Sequence, residues 1–313
     1  MERMEKVNNT LLTRFTLLGL TAGLGLQLPV VTSFLLIYFF TLLGNSMLIF
    51  LAQSDPRLHT PMYHFLCHLS LMDICYSSIT LPRMLVSTLS GDYSISFIGC
   101  LSQLYLVLSF SIMEALILAV MAWDRYVAIC SPLRYTVQMN ERTCHQLAAG
   151  SWICGSVPCV VHTTLTCNLQ FCGHHEINQF FCNIQQLLEL ACTDTSLNKT
   201  VLFIHGGIAA LICSTAILWS YLNIIVTILK IPSDNGHRKG FSTCASHLTV
   251  VSLFYGSGLL TNLLPSFRFP LEAHRLISVF YVALTPVLNP IIYSLRNQEV
   301  KQALRRAVGP HLK

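Results

Sequence analysis

The stretch Met121-Ala122-Trp123-Asp124-Arg125-Tyr126-Val127-Ala128-Ile129-Cys130, continued by Ser131-Pro132-Leu133-Arg134-Tyr135, decides the fold. It closes an apolar run that begins near Ile98, so an acid, an arginine and a tyrosine stand where a helix would leave hydrocarbon and meet water. Asp-Arg-Tyr by itself is three common residues. Its place at the end of the third of seven long apolar runs makes it informative.

The 313 residues are 53% hydrophobic and only 11% charged, with a mean hydropathy of +0.58. Soluble domains carry roughly 25% charged residues, so this chain is suited to a solvent that hydrates little of its surface. The bilayer is that solvent: about 20 apolar residues cross its hydrocarbon, and a helix satisfies its own backbone there. The runs cover 28–52, 61–85, 98–122, 146–164, 201–229, 241–264 and 276–293. The expected fold is an all-α membrane protein, a seven-transmembrane helix bundle with a short amphipathic eighth helix. Residues 1–27 form a tail, 28–293 the bundle, and 294–313 a helix and tail.

With the amino terminus outside, twelve of the nineteen Lys and Arg fall on the side that holds Arg125, which the positive-inside rule assigns to the cytosol. The net charge of +5 then reflects basic membrane edges, and nucleic acid is not an expected partner. Residues 1–27 are polar and then mixed, without the short apolar core of a cleavable signal peptide. The expected location is the plasma membrane, multi-pass.

Several polar residues interrupt the runs. Asn45 lies in the first and Asp73 deep in the second, where a carboxylate costs several kcal/mol unless it finds polar partners, an ion or water. In the third, Val107, Ser111, Glu114, Leu118 and Arg125 share one helical stripe. Glu114 and Arg125 are eleven residues apart, about 16 Å along the axis, and cannot pair. The seventh run ends in Asn289-Pro290-Ile291-Ile292-Tyr293, where Pro290 removes a helix hydrogen bond and Asn289 and Tyr293 share a face.

Of thirteen cysteines, Cys67, Cys75, Cys130, Cys154, Cys213 and Cys244 read as apolar packing residues. Cys100, Cys172, Cys182 and Cys192 fall on the opposite side of the bilayer from Arg125, where disulfides persist; four cysteines allow three pairings. Asn8-Asn9-Thr10 and Asn198-Lys199-Thr200 are glycosylation acceptors on that same side, the second close to the bilayer.

Taken in order, Leu58-His59-Thr60-Pro61-Met62-Tyr63, the Asp-Arg-Tyr stretch, the segment from His237 to Leu248, Asn289-Pro290 through Tyr293 and Leu295-Arg296-Asn297 resemble odorant receptors, a branch of the rhodopsin-like G-protein-coupled receptors. The resemblance covers Leu58 to Arg306. Two positions depart from it: Trp123 stands where tyrosine is usual, and Gly240 where alanine is usual.

The resemblance implies disulfides Cys100 to Cys182 and Cys172 to Cys192. It implies a small, mostly apolar volatile ligand within the bundle, with Leu108, Ser111, Ile112, His205, Ala209, Tyr255, Gly258, Leu259, Asn262 and Tyr281 as candidate contacts. Asp124, Arg125, Tyr126, Tyr221, His247, Asn289, Pro290 and Tyr293 become the activation switch, facing a heterotrimeric stimulatory G protein that raises cAMP. Asp73 and Glu114 are expected to converge, holding either sodium, by analogy with rhodopsin-like receptors, or one shared proton. No other cofactor is expected. A receptor of the same branch for an endogenous metabolite outside the nose is one alternative. A channel or transporter is another, disfavoured by seven spans without an inverted repeat. No catalytic constellation supports an enzyme.

Overall fold

A computed structural model describes residues 14–18, 27–172, 175–232, 234–263 and 280–309. The side chains of 234–239, 242–243, 259–263, 280–281, 295–296 and 308 lie outside that description. Long helices dominate: α1 (Gln27–Ser54), α2 (Pro61–Ser90), α3 (Phe97–Cys130), α5 (Glu141–Cys167), α7 (Ser196–Leu229) and α8 (Asp234–Leu263). Short helices α4 (Tyr135–Gln138) and α6 (Ile184–Leu190) lie in the connections. A π-helical turn at Phe280–Leu284 leads into α9 (Thr285–Arg296), and α10 (Gln298–Val308) follows.

The ends of these helices have local causes. Gly91 adopts φ 72°, the left-handed cap that stops α2. Ser96 Oγ accepts from the Gly99 N–H at 3.1 Å to start α3, and Asn140 Oδ1 accepts from the Thr143 N–H at 2.9 Å to start α5. α9 runs through Pro290, and the departure from α geometry falls earlier, in the π turn.

Among the described helices, α1, α3 and α7 are long and apolar enough by themselves to cross a membrane. The physical reason the others read as more polar is visible in α2, which buries Asp73, Ser77 and Thr80 inside the bundle. Apolar side chains face outward instead, such as Phe39, Phe40 and Leu43 on α1 and Phe203, Leu211 and Ile212 on α7. Lipid covers such a surface without cost.

Helix α3 is the central post, packed against α2, α5, α7 and α8. Close approach depends on two glycines. A Cβ at Gly155 would lie 2.3 Å from Met113 Cγ and 3.2 Å from the Ser109 carbonyl oxygen, and one at Gly44 would lie 3.0 Å from Pro290 Cγ.

At the end of the bundle opposite Arg125, a small sheet forms a cap. Strand β1 (Arg14–Leu17) lies between β2 (Ser94–Ser96), antiparallel with Phe15 opposite Ile95, and β3 (Glu176–Ile177), parallel. Phe15, Leu17, Ile95, Ile177, Cys182 and Leu187 bury one another beneath it. Part of the expected tail is therefore the middle strand of a folded cap.

Cys100 is bonded to Cys182, with Cα atoms 5.5 Å apart, and Cys172 to Cys192, with Cα atoms 5.8 Å apart. Asn198 lies in the first turn of α7 and is 5% exposed. Asn8 lies outside the described residues.

Candidate functional site

At the end of the bundle that holds Arg125, α3 runs into the short connection carrying Tyr135. Asp124 accepts from the Tyr135 hydroxyl at 2.8 Å, and its other oxygen lies 3.8 Å from Arg125 Nε. Burial, and then the Asp124 carboxylate, raise the Tyr135 phenol, so it stays protonated and remains the donor. The Arg125 guanidinium, 16% exposed, is thus held only loosely by its own neighbour.

Above it, His247 ties α3, α7 and α8 together. Its Nε2 lies 3.1 Å from the Leu118 carbonyl oxygen and its Nδ1 lies 2.6 Å from the Tyr221 hydroxyl. A carbonyl can only accept, so Nε2 carries a proton, and Nδ1 shares a hydrogen bond with the Tyr221 hydroxyl. Tyr293 is fully buried nearby, and its hydroxyl has no hydrogen-bond partner among the described residues.

Mid-bundle, Asn289 Nδ2 donates to both oxygens of Asp73, at 3.2 and 3.0 Å. Asn45 Nδ2 donates to the Thr41 and Pro286 carbonyls, each at 3.0 Å, tying α1 to α9. Glu114 lies within electrostatic reach of Asp73 and within hydrogen-bonding reach of Asn289. Buried oxygens of Asn45, Glu114 and Asn289 have no partner among the described residues. Hard oxygen donors of this kind suit an alkali cation better than a transition metal. No group of three His, Cys, Asp or Glu placed to hold a metal occurs among the described residues.

The candidate ligand contacts gather less completely. Leu108 is half-buried against the cap cluster, and Ser111 Oγ donates back to the Val107 carbonyl at 2.8 Å. Ile112 and Ala209 are half-buried. Tyr255 packs against the main core and is edge-on to Phe254, with ring centroids 5.2 Å apart. A Cβ at Gly258 or Gly206 would meet no described atom within 4 Å. His205 Nδ1 is 3.0 Å from His162 Nε2 on α5. One polar edge of His205 is therefore already engaged between helices. The side chains of Leu259, Asn262 and Tyr281 lie outside the described residues.

The comparisons with known proteins fit this geometry. The family described as "Olfactory receptor" matches residues 34–310. Human olfactory receptor 2A1/2A42 is 49% identical over 302 residues, spanning 96% of this chain and 97% of that protein. The chain belongs to the olfactory receptor family. Gorilla olfactory receptor 1G1 is 47% identical, over 97% of both chains, and mouse olfactory receptor 5G25 is 48% identical, over 96% of this chain and 94% of that protein. The crystal structure of squid rhodopsin superimposes with a TM-score of 0.67 at 18% identity, over 91% of this chain and 85% of that one, which shows the seven-helix fold. An olfactory receptor is a multi-pass membrane receptor and not an enzyme.

In this olfactory receptor the Trp123 departure has a local partner. Its indole stacks on Trp219, with centroids 5.8 Å apart and planes 18° apart, and Tyr126 packs on Trp219 at 4.6 Å. Sequence reasoning singled out neither Trp219 nor His162, because helical periodicity assigns a residue to a face but not to the neighbour it meets. It also missed the latch of α10, where Arg306 donates to Asp55 Oδ2 from Nε at 2.9 Å and from Nη2 at 2.5 Å. Tyr63 donates to Glu299 at 2.7 Å and accepts from Asn297 at 2.8 Å on the same side. The Arg306 hydrogen bonds, and then the Arg57 N–H, hold the Asp55 carboxyl below its usual range. A depressed carboxylate contributes above its unfolded value and loses that contribution only as pH falls through the folded one, so the latch stays closed across neutral pH.

Proposed function

We propose that this olfactory receptor detects neutral volatile ligands, such as alcohols, aldehydes, ketones or esters, and passes the signal to a stimulatory G protein that raises cAMP. The amino terminus and disulfide cap face outward, and Arg125 and α10 face the cytosol. The described outer parts of α3, α7 and α8 offer half-buried apolar side chains but little fixed charge. An odorant there buries its carbon skeleton and is oriented by one or two hydrogen bonds.

The observation that carries the reading is the His247 bridge. One imidazole joins α3, α7 and α8 beside an arginine that no strong ion pair restrains. A ligand moves this equilibrium only by preferring one packing of the helices over another. When the inner end of α8 swings outward, the Leu118 and Tyr221 hydrogen bonds break, and Arg125 and Tyr126 become available to the carboxy-terminal helix of the G protein. The mid-bundle oxygens of Asp73, Glu114, Asn45 and Asn289 would hold a sodium ion, whose charge compensates the two carboxylates in the resting packing.

Arg125→Ala tests the reading. In cells that report cAMP, against any odorant of a broad panel that activates the unsubstituted receptor, it abolishes the response while surface expression is retained. A response preserved in Arg125→Ala contradicts the assigned role.

A further inference from the structure

A second cleft lies away from both the ligand region and the switch. Between the Arg125 ends of α1, α2 and α5 is a cavity of about 990 Å³. Its lining mixes polar and apolar side chains. His64, His68 and His145 form a polar cluster in it, the His64 ring centroid being 4.9 Å from each of the other two. Ile49, Leu58, Cys67 and Leu71 form the wall, and Leu71 opens onto the lipid-facing surface.

The hydrogen bonds fix what the histidines can offer. Trp152 Nε1–H donates to His68 Nδ1 at 3.1 Å, so a neutral His68 carries its proton on Nε2 and presents a donor, not a lone pair. His64 Nε2 is buried with no partner among the described residues, a costly state unless something supplies one. The starts of α2 and α5 also border the cleft, and the positive ends of their helix dipoles point there. The Glu141 side chain is 93% exposed and lies 3.7 Å from His145 Nε2, turned toward water. Donors and helix N-termini above an apolar wall ask for a ligand with phosphate oxygens at one end and hydrocarbon at the other. A transition metal is the poorer fit, since His68 has already committed its lone pair.

We propose that this cleft seats an anionic phospholipid of the inner leaflet. Its phosphate accepts from His64, His68 and His145, and an acyl chain lies along Ile49, Leu58 and Leu71. The leaflet assignment rests on the sidedness given under the proposed function; the binding chemistry does not.

The test uses the full-length receptor purified in detergent and native mass spectrometry, without odorant or G protein, so its outcome is independent of signalling. Dioleoylphosphatidic acid is expected to stay bound one-to-one while dioleoylphosphatidylcholine is lost at lower activation. Retention of phosphatidic acid should fall at least about tenfold in the double variant His64→Leu, His145→Leu, the scale expected for losing charge-assisted hydrogen bonds. His145→Gln alone, at an exposed position, gives a smaller loss in the same direction and serves if the double variant does not fold. Equal retention of the two lipids, retention unchanged in the variants, displacement by millimolar inorganic phosphate, or displacement by a sterol would each overturn the proposal.

Discussion

At the residue scale, the most demanding position is Asp73. Its two oxygens accept from the one Asn289 amide at 3.2 and 3.0 Å, and Glu114 lies within electrostatic reach of the same carboxyl. Two buried carboxylates cannot both ionise uncompensated. With sodium present, the purified receptor should melt at a higher temperature than in a large organic cation at equal ionic strength. Saturation to about a hundred times the dissociation constant corresponds to about 2.7 kcal/mol. Asp73→Asn should erase that difference. An equal sodium effect in the variant would contradict cation binding there, and the absence of any effect in the unsubstituted receptor would favour the single shared proton.

At the scale of elements, the fit of α5 against α3 turns on Gly155, which leaves no space for even a methyl group. Gly155→Ala should lower stability by about 1–3 kcal/mol through overpacking, seen as a lower melting temperature. Gly150→Ala on the same helix, where a Cβ meets no described atom within 4 Å, should be neutral or stabilising by up to about 1 kcal/mol. A similar loss for both would contradict the packing account, since helix propensity favours alanine at either position. Elements also differed in how readable they were. The long helices followed from apolar runs. Strand β1 did not: Arg-Phe-Thr-Leu is too short a stretch to show alternation, and its partners lie some eighty and one hundred sixty residues away.

For the molecule as a whole, sequence was most informative where chemistry is conspicuous against lipid. Asp73, Glu114, Asp124, Arg125 and Asn289 are legible because a polar residue in an apolar run needs a reason. Partners across helices were less so. The meeting of His162 with His205, of Trp123 with Trp219, and of Arg306 with Asp55 depends on helix rotation, which composition does not encode. Every functional step assigned above requires the disulfide cap and Arg125 to face opposite sides of the membrane. The most direct measurement places one epitope after Asp92, beside the cap, and in a second receptor after Val137, beside Arg125, and stains cells with antibody before and after permeabilisation. The account predicts that the Asp92 epitope is stained on intact cells and the Val137 epitope only after permeabilisation; the opposite pattern, or both epitopes on one side, would contradict it.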